Sequence, residues 1–386
     1  MDLQEYFKTM VEMEASDLYL TVARPPTYRV DGKVRGEGEH KFSPAEVEQL
    51  AHSIMNEKQR REFAETREMN LATSLPGVAR FRVNIFQQRG SVGMVIRRVK
   101  ADVMSVEELG LPPILKDIVM TKRGLVLVVG ATGSGKSTTL AAMIDHRNAN
   151  EAGHIITIED PIEFVHRHKR SIITQREVGF DTHSFQAALK NTLRQAPDVI
   201  LIGEIRDTET MEAAITFAET GHLCLGTLHS NNANQAIERI MNFFPVERYA
   251  QIYLQLSLNL RSIISQRLIP SVDGKRVVAL EILMDTPRIK DLIKKGDIDV
   301  LKEAMEQGIQ EGCQTFDQAL FSLYRDGKIS LEQALSHADS ANNLRLKIKL
   351  AGLRVDQEPV EQEKSSSEKA KSEPLFSTGN FRLRKS

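Results

Sequence analysis

The chain has 386 residues, long enough for two domains, and its 51 Lys and Arg nearly balance its 52 Asp and Glu. That balance argues against a dedicated nucleic-acid binder, and 5% aromatic residues with no Trp leave few platforms for stacking bases. Cys224 and Cys313 are far apart and lack metal-ligand spacing, so they read as two buried thiols.

Residues 1–105 read as a small α+β domain. Leu3 to Met13 is the first predicted helix. Asp17–Val22 and Thr27–Val30 are predicted strands parted by Pro25-Pro26, with Asp31-Gly32 turning the chain. Ser43 is an N-cap, with Pro44 in the first turn and Glu46 completing a capping box. Phe81, Val83 and Ile85 alternate with Arg80, Arg82 and Asn84, the pattern of a half-buried strand with one charged face. Gly90 turns it into a second strand, Val92–Val99. Residues 106–123 read as a linker around Gly110-Leu111-Pro112-Pro113.

From 124 to 285 apolar strands alternate with helices. The strands are expected at 125–129, 155–158, 199–202 and 223–227, in a mostly parallel sheet with helices on both faces. Residues 286–350 read as helical, with Thr286-Pro287 starting a helix whose buried stripe is Ile289, Leu292 and Ile293. Ser330-Leu331-Glu332-Gln333 reads as a second capping box. Residues 351–386, rich in Glu, Lys and Ser, are expected to be a disordered tail ending in the basic Phe381-Arg382-Leu383-Arg384-Lys385. The acidic N-terminus lacks a signal-peptide profile, and no apolar run reaches the ~18–20 residues of a membrane span. A cytoplasmic protein is expected.

The most specific motif is Gly130-Ala131-Thr132-Gly133-Ser134-Gly135-Lys136-Ser137-Thr138, which fits G-x-x-x-x-G-K-[ST]. It follows the apolar run Leu125–Val129 and precedes Leu140, Met143 and Ile144 at helical spacing, so it bridges strand to helix. Glycines let backbone N–H groups close around a phosphate, and the helix N-terminus adds positive field. Lys136 is then placed for the β- and γ-phosphates and Ser137 for Mg²⁺. The pattern implies a site for a nucleoside triphosphate.

Acids should follow at the strands' carboxyl ends, where open α/β sheets bind ligands. Ile155–Glu163 ends a buried strand with Glu159, Asp160 and Glu163. Glu163 is the candidate to orient the attacking water, with Glu159 and Asp160 in support, also as metal candidates. Asp198–Glu204 is a second apolar strand ending in an acid, so Glu204 is expected to reach the metal directly or through water. Spacing does not settle which glutamate is base and which serves the metal. A third constellation runs from Gly221 to His229, with His222 and His229 bracketing a short strand.

Leu193-Arg194-Gln195-Ala196-Pro197-Asp198, continuing to Asp207, matches the signature of the type II/type IV secretion ATPases. Thr157–Glu163 resembles their aspartate box and Gly221–His229 their histidine box. Ser16–Leu20 and Pro25–Gly32 resemble the PAS-like N-terminal domain of the twitching-motility ATPases. The resemblance covers roughly residues 1–350. It implies a PAS-like domain followed by a RecA-like P-loop domain and C-terminal helices. It further implies an ATP- and Mg²⁺-dependent homo-hexamer at the cytoplasmic, inner-membrane base of a type IV pilus. A paralogous retraction ATPase and the inner-membrane platform protein are the implied partners, and nucleic acid is not.

On this resemblance Arg82 and Arg97 approach the γ-phosphate as arginine fingers, although alternation alone does not separate Arg97 from Arg98. Arg194 and Arg206 look like organisers of the acidic strand or of a contact between subunits. Assembly-type members usually carry a four-cysteine zinc module, for which Cys224 and Cys313 are too few, and this favours the retraction branch. The stretch Arg288–Lys295 keeps the apolar stripe of the retraction helix A-I-R-N-L-I-R-E but departs on its polar face, as in an accessory paralogue. Whether retraction is driven alone or only with the paralogue stays open. Two readings from other classes compete: a RecA-like nucleic-acid motor, and a non-enzymatic ring subunit that senses ATP. An assembly ATPase is a third alternative.

Overall fold

The computed structural model describes residues 2–75, 79–99 and 102–353. The expected tail lies outside the described residues from 354 onward, as does the basic stretch at 381–385.

The first sheet holds β1 (Asp17–Leu20), β2 (Thr27–Val30), β3 (Lys33–Gly36), β4 (Glu68–Leu75), β5 (Ala79–Gln88) and β6 (Ser91–Val99) in the order β3-β2-β1-β6-β5-β4. Every pairing in it is antiparallel. Strand period explains its two faces. Phe81, Val83 and Ile85 of β5 enter a core with Leu3, Phe7 and Met10 of helix Leu3–Glu12 and Val47, Leu50 and Ala51 of helix Pro44–Ile54. Arg80, Arg82 and Asn84 emerge on the opposite face, half-buried. The expected capping box at Ser43 forms in full, with Glu46 reaching back to the Ser43 N–H. Sequence reading missed β3 and β4, because the charged Lys33–Gly36 and the small, polar Ala72-Thr73-Ser74 dilute any alternation.

The second sheet holds β7 (Gly124–Val129), β8 (His154–Glu159), β9 (Ile172–Glu177), β10 (Val199–Ile202), β11 (Leu223–Leu228), β12 (Leu260–Pro270) and β13 (Arg276–Met284), in the order β13-β12-β7-β11-β10-β8-β9. All pairings are parallel except the β12–β13 edge hairpin. All six residues of β7 are buried. Leu125, Leu127 and Val129 pack on one face against helices Thr208–Glu219 and Ala233–Met241, among others. Val126 and Val128 pack on the other face against helices Ile114–Val119 and Lys136–Asn150. The stretch read as linker therefore includes a helix, which buries Leu115, Ile118 and Val119 against this sheet.

Five α-helices between Pro287 and Leu350 follow the sheet. Thr286 caps the first by accepting from Ile289 N, and Ile289 and Ile293 are its buried residues. Ser330 caps a later one through its hydroxyl, which accepts from Gln333 N. Among the described residues no helix is long and apolar enough to cross a membrane.

The N-terminal core depends on the stacked rings of Phe7 and Phe81, whose centroids are 4.2 Å apart. Phe7→Ala is expected to cost about 3–5 kcal/mol of stability in that region, measured by denaturant unfolding followed with a probe in the first sheet.

Candidate nucleotide site

The site begins where β7 runs out. Gly130 and Gly133 take φ of 155° and 78°, and Gly135 caps the following helix at φ 91°. A Cβ on Gly130 would stand 2.6 Å from Gln266 O, and one on Gly135 2.7 Å from Gln266 Nε2. Both positions are closed to any side chain. Gln266 of β12 is buried and staples the loop: its Nε2 donates to Ser134 O at 2.6 Å and its Oε1 accepts from Thr139 Oγ1 at 2.7 Å.

Two features show that this cradle suits phosphate. Helix Lys136–Asn150 has no side-chain cap, so its first N–H groups are left for another acceptor. The buried Ser134 Oγ has no hydrogen-bond partner among the described residues. Lys136 is half-buried and donates to Gly130 O and Ala131 O at 2.8 and 3.0 Å. Burial pushes its pKa down, against the opposing pull of Glu204.

Parallel strands deliver the acids to the same edge. Glu204, just past β10, is held from both sides: Arg206 Nη2 lies 2.7 Å from Oε2 and the His229 ring nitrogen Nε2 3.1 Å from Oε1. Arg206 also reaches Asp160 at 3.7 Å, so one guanidinium ties the ends of β8 and β10. Glu159 Oε1 accepts from Thr157 Oγ1 at 2.6 Å and Gln175 Nε2 at 3.3 Å, and burial pushes its pKa up. Glu163 is exposed on the cleft wall, and its carboxylate makes no hydrogen bond or ion pair among the described residues.

The first sheet forms the facing wall. Arg82 and Arg97 are partners across β5 and β6 and both line the cleft with Lys136, Glu163, Glu204 and His229. Arg82 pairs through Nε with the buried Glu177 of β9 at 3.4 Å and donates to Ile162 O. Arg80 reaches the same carboxylate at 3.4 Å.

His222 is not brought to the cleft. It precedes β11, its Nδ1 lies 3.1 Å from Thr220 Oγ1 and 3.3 Å from Phe217 O, and the six residues of β11 separate it from His229. At ~3.3 Å per residue the two histidines stand on the order of 20 Å apart, so they do not act as a pair on one ligand. Arg194 sits in the short 3₁₀ turn Leu193–Gln195 and is exposed.

Sequence reading missed Gln266, Glu177 and Arg80. A glutamine inside the apolar run Ile263–Ile269 was a usable signal for the first. Glu177 gave none, because its partners are almost a hundred positions upstream.

A glycine loop shaped for phosphate, with carboxylates and cations ringed at the carboxyl edge of a parallel sheet, defines a nucleotide-binding α/β protein. Residues 2–338 match the family model described as type II/IV secretion system protein, and the chain belongs to that family. It is 56% identical over 351 residues to the type IV pilus ATPase PilU of Pseudomonas aeruginosa, covering 91% of this chain and 92% of the relative. It is 46% identical to the type IV pilus retraction ATPase PilT of the same organism, covering 89% of this chain and all of the relative. The crystal structure of the pilus retraction motor PilT with bound ADP superposes with a TM-score of 0.83 at 43% identity, over 90% of this chain and 99% of that one. The Legionella pneumophila ATPase DotB, at 24% identity and a TM-score of 0.74, shares the fold.

Two outcomes follow from the geometry. Gln266→Leu strands the Thr139 hydroxyl and the Ser134 carbonyl and is expected to cost on the order of 2 kcal/mol in thermal unfolding. Half-buried His166, with Nδ1 buried and unpartnered, has its pKa pushed by desolvation down to about 4. The unfolded chain binds that proton from about pH 6.5 downward and the folded one does not, so stability should fall as pH drops from 6.5 to 4, by about 2.5 kcal/mol. His166→Gln should flatten that slope in urea titrations at pH 5 and pH 7.5.

Proposed function

We propose that this chain is a Mg²⁺-dependent P-loop ATPase of RecA-like core, working as a hexameric motor that assists type IV pilus retraction and twitching motility. The observation that carries the reading is the convergence, on one cleft, of the Lys136 loop, the Glu204–His229 pair backed by Arg206, and the Arg82–Arg97 pair. Similarity to PilU and PilT over nine tenths of the chain supplies the motor's context. It also supports, as parts of the same proposal, a PAS-like first domain over 1–105, an ATPase core over 124–285 and helices over 286–350. A cytoplasmic ring docked at the inner-membrane pilus base, beside a paralogous retraction ATPase and the platform protein, completes it.

In this reading loop residues Gly130–Thr138 hold the phosphates. Among the described residues no group of three His, Cys, Asp or Glu is placed to hold a metal unaided, so the ion would share Ser137 and Glu204 with phosphate oxygens. Bound there, it would neutralise charge on the transferring phosphoryl group. Glu159 and Asp160 support that shell from Thr157, Gln175 and Arg206. Glu163, whose carboxylate is unengaged, orients the attacking water. His229 keeps Glu204 in place, and Lys136 leaves its loop carbonyls for phosphate. Arg82 and Arg97 bring positive charge from the facing wall, so closure of the cleft completes the site.

The polar face of helix Pro287–Lys295 supports the accessory role. Arg288, Asp291, Lys294 and Lys295 are exposed around the buried Ile289 and Ile293. A face that departs while the stripe stays suits a changed partner contact.

Purified protein should hydrolyse Mg-ATP, with Lys136→Ala and Glu204→Gln below about one hundredth of the parent rate and unchanged circular dichroism. Chain that stays monomeric with nucleotide and never cleaves it overturns the motor reading. Hydrolysis by the isolated protein rules out a ring subunit that only senses ATP.

A further inference from the structure

In register across β2, β1, β6 and β5 lie Arg29, Asp17, Arg97 and Arg82. The signs run plus, minus, plus, plus, and the buried Glu177 adds a second minus beyond Arg82 from the other sheet. Like charges directly opposite on neighbouring strands repel, so Arg97 and Arg82 stand side by side only with anions beside them.

Asp17 is the anion for Arg97. Arg97 Nε donates to Asp17 Oδ1 at 2.9 Å, and this bond is the main reason its pKa is pushed up. Asp17 Oδ2 accepts from Ser16 Oγ at 2.8 Å and pairs with Arg29 Nε at 3.4 Å. The carboxylate is 6% exposed while the Arg97 side chain is 67% exposed. Arg97 is thus anchored at Nε by a group sealed in the sheet, and Nη1 and Nη2 make no hydrogen bond among the described residues. Arg98 differs: it stands opposite the core residue Phe81 and donates to Val11 O at 3.4 Å.

We propose that Asp17 is a positioning residue, holding Arg97 by Nε so that the free edge of its guanidinium faces the terminal phosphate of a bound nucleoside triphosphate. This rests on the ATPase reading above. Fixing a long, rotamer-rich side chain before substrate arrives removes an ordering cost that the reaction would otherwise bear. A carboxylate does this while also offsetting the repulsion from Arg82.

The test compares steady-state Mg-ATP hydrolysis and fluorescent-ADP binding for the full chain and four variants: Asp17→Asn, Arg97→Ala, the two combined, and Arg29→Gln. Asp17→Asn should lower kcat about tenfold with ADP affinity unchanged, because ADP lacks the phosphate that Arg97 faces. The combined variant should be no slower than Arg97→Ala alone, since the two residues act as one unit. Arg29→Gln leaves Asp17 bound to Arg97 and should keep the parent kcat, a readout that does not depend on Asp17→Asn folding. Slowing in Arg29→Gln, parent-like kcat in Asp17→Asn, or additive slowing in the combined variant overturns the proposal while leaving the ATPase reading intact. Parent-like kcat in Arg97→Ala removes the role of Arg97 in catalysis, and this proposal with it.

Discussion

A loop punctuated by three glycines has little shape of its own, and the phosphate cradle of this protein takes its shape from a neighbouring strand. Gln266 of β12 uses both ends of its amide to tie the loop to the helix that follows it, donating to Ser134 O in the loop and accepting from Thr139 Oγ1 in the helix. The contact exists because β7 is inserted between β11 and β12, so the loop leaves the sheet beside a strand contributed from more than a hundred residues downstream. The missing Cβ atoms at Gly130 and Gly135 let that strand approach. Flexibility at these glycines and rigidity from Gln266 are two halves of one device.

The cleft opposes two charge systems, each neutralised at the back. On the second sheet, the acids that end β8 and β10 are met by the Arg206 guanidinium, with the His229 ring nitrogen 3.1 Å from Glu204. On the first, the arginines of β5 and β6 are met by Glu177 and Asp17. Each wall therefore carries its charges at modest cost before the other closes on it. Among the described residues, the Arg80–Glu177–Arg82 contact is where ion pairs join strands of the two sheets. Motion of one sheet against the other has to break or remake it.

Similarity to PilU and PilT, each across about nine tenths of the chain, fits a common core with separate surfaces. In helix Pro287–Lys295 the buried Ile289 and Ile293 preserve packing on the second sheet's core, while the exposed polar face is unconstrained by it. Such a face can diverge without disturbing the site. Differences of role within the family are then expected on surfaces of this kind, and likeness is expected in the cradle.

Local patterns alone were enough for the glycine loop, the buried β7, the acids ending β8 and β10, and the charged face of β5, because each is a short-range signal. They also gave the caps at Ser43 and Thr286. The hairpin of β12 and β13 was missed, since Arg267, Ser265 and Gln266 interrupt its apolar run and only the folded sheet buries Gln266. Register decided the rest. It set Arg97, and not Arg98, opposite Arg82; it gave Asp17 to Arg97; and it left His222 at the far end of the strand that presents His229. A linear chain carries residue types and local periods, whereas which charge faces which is a property of strands paired across long sequence separations, and that was settled only by packing.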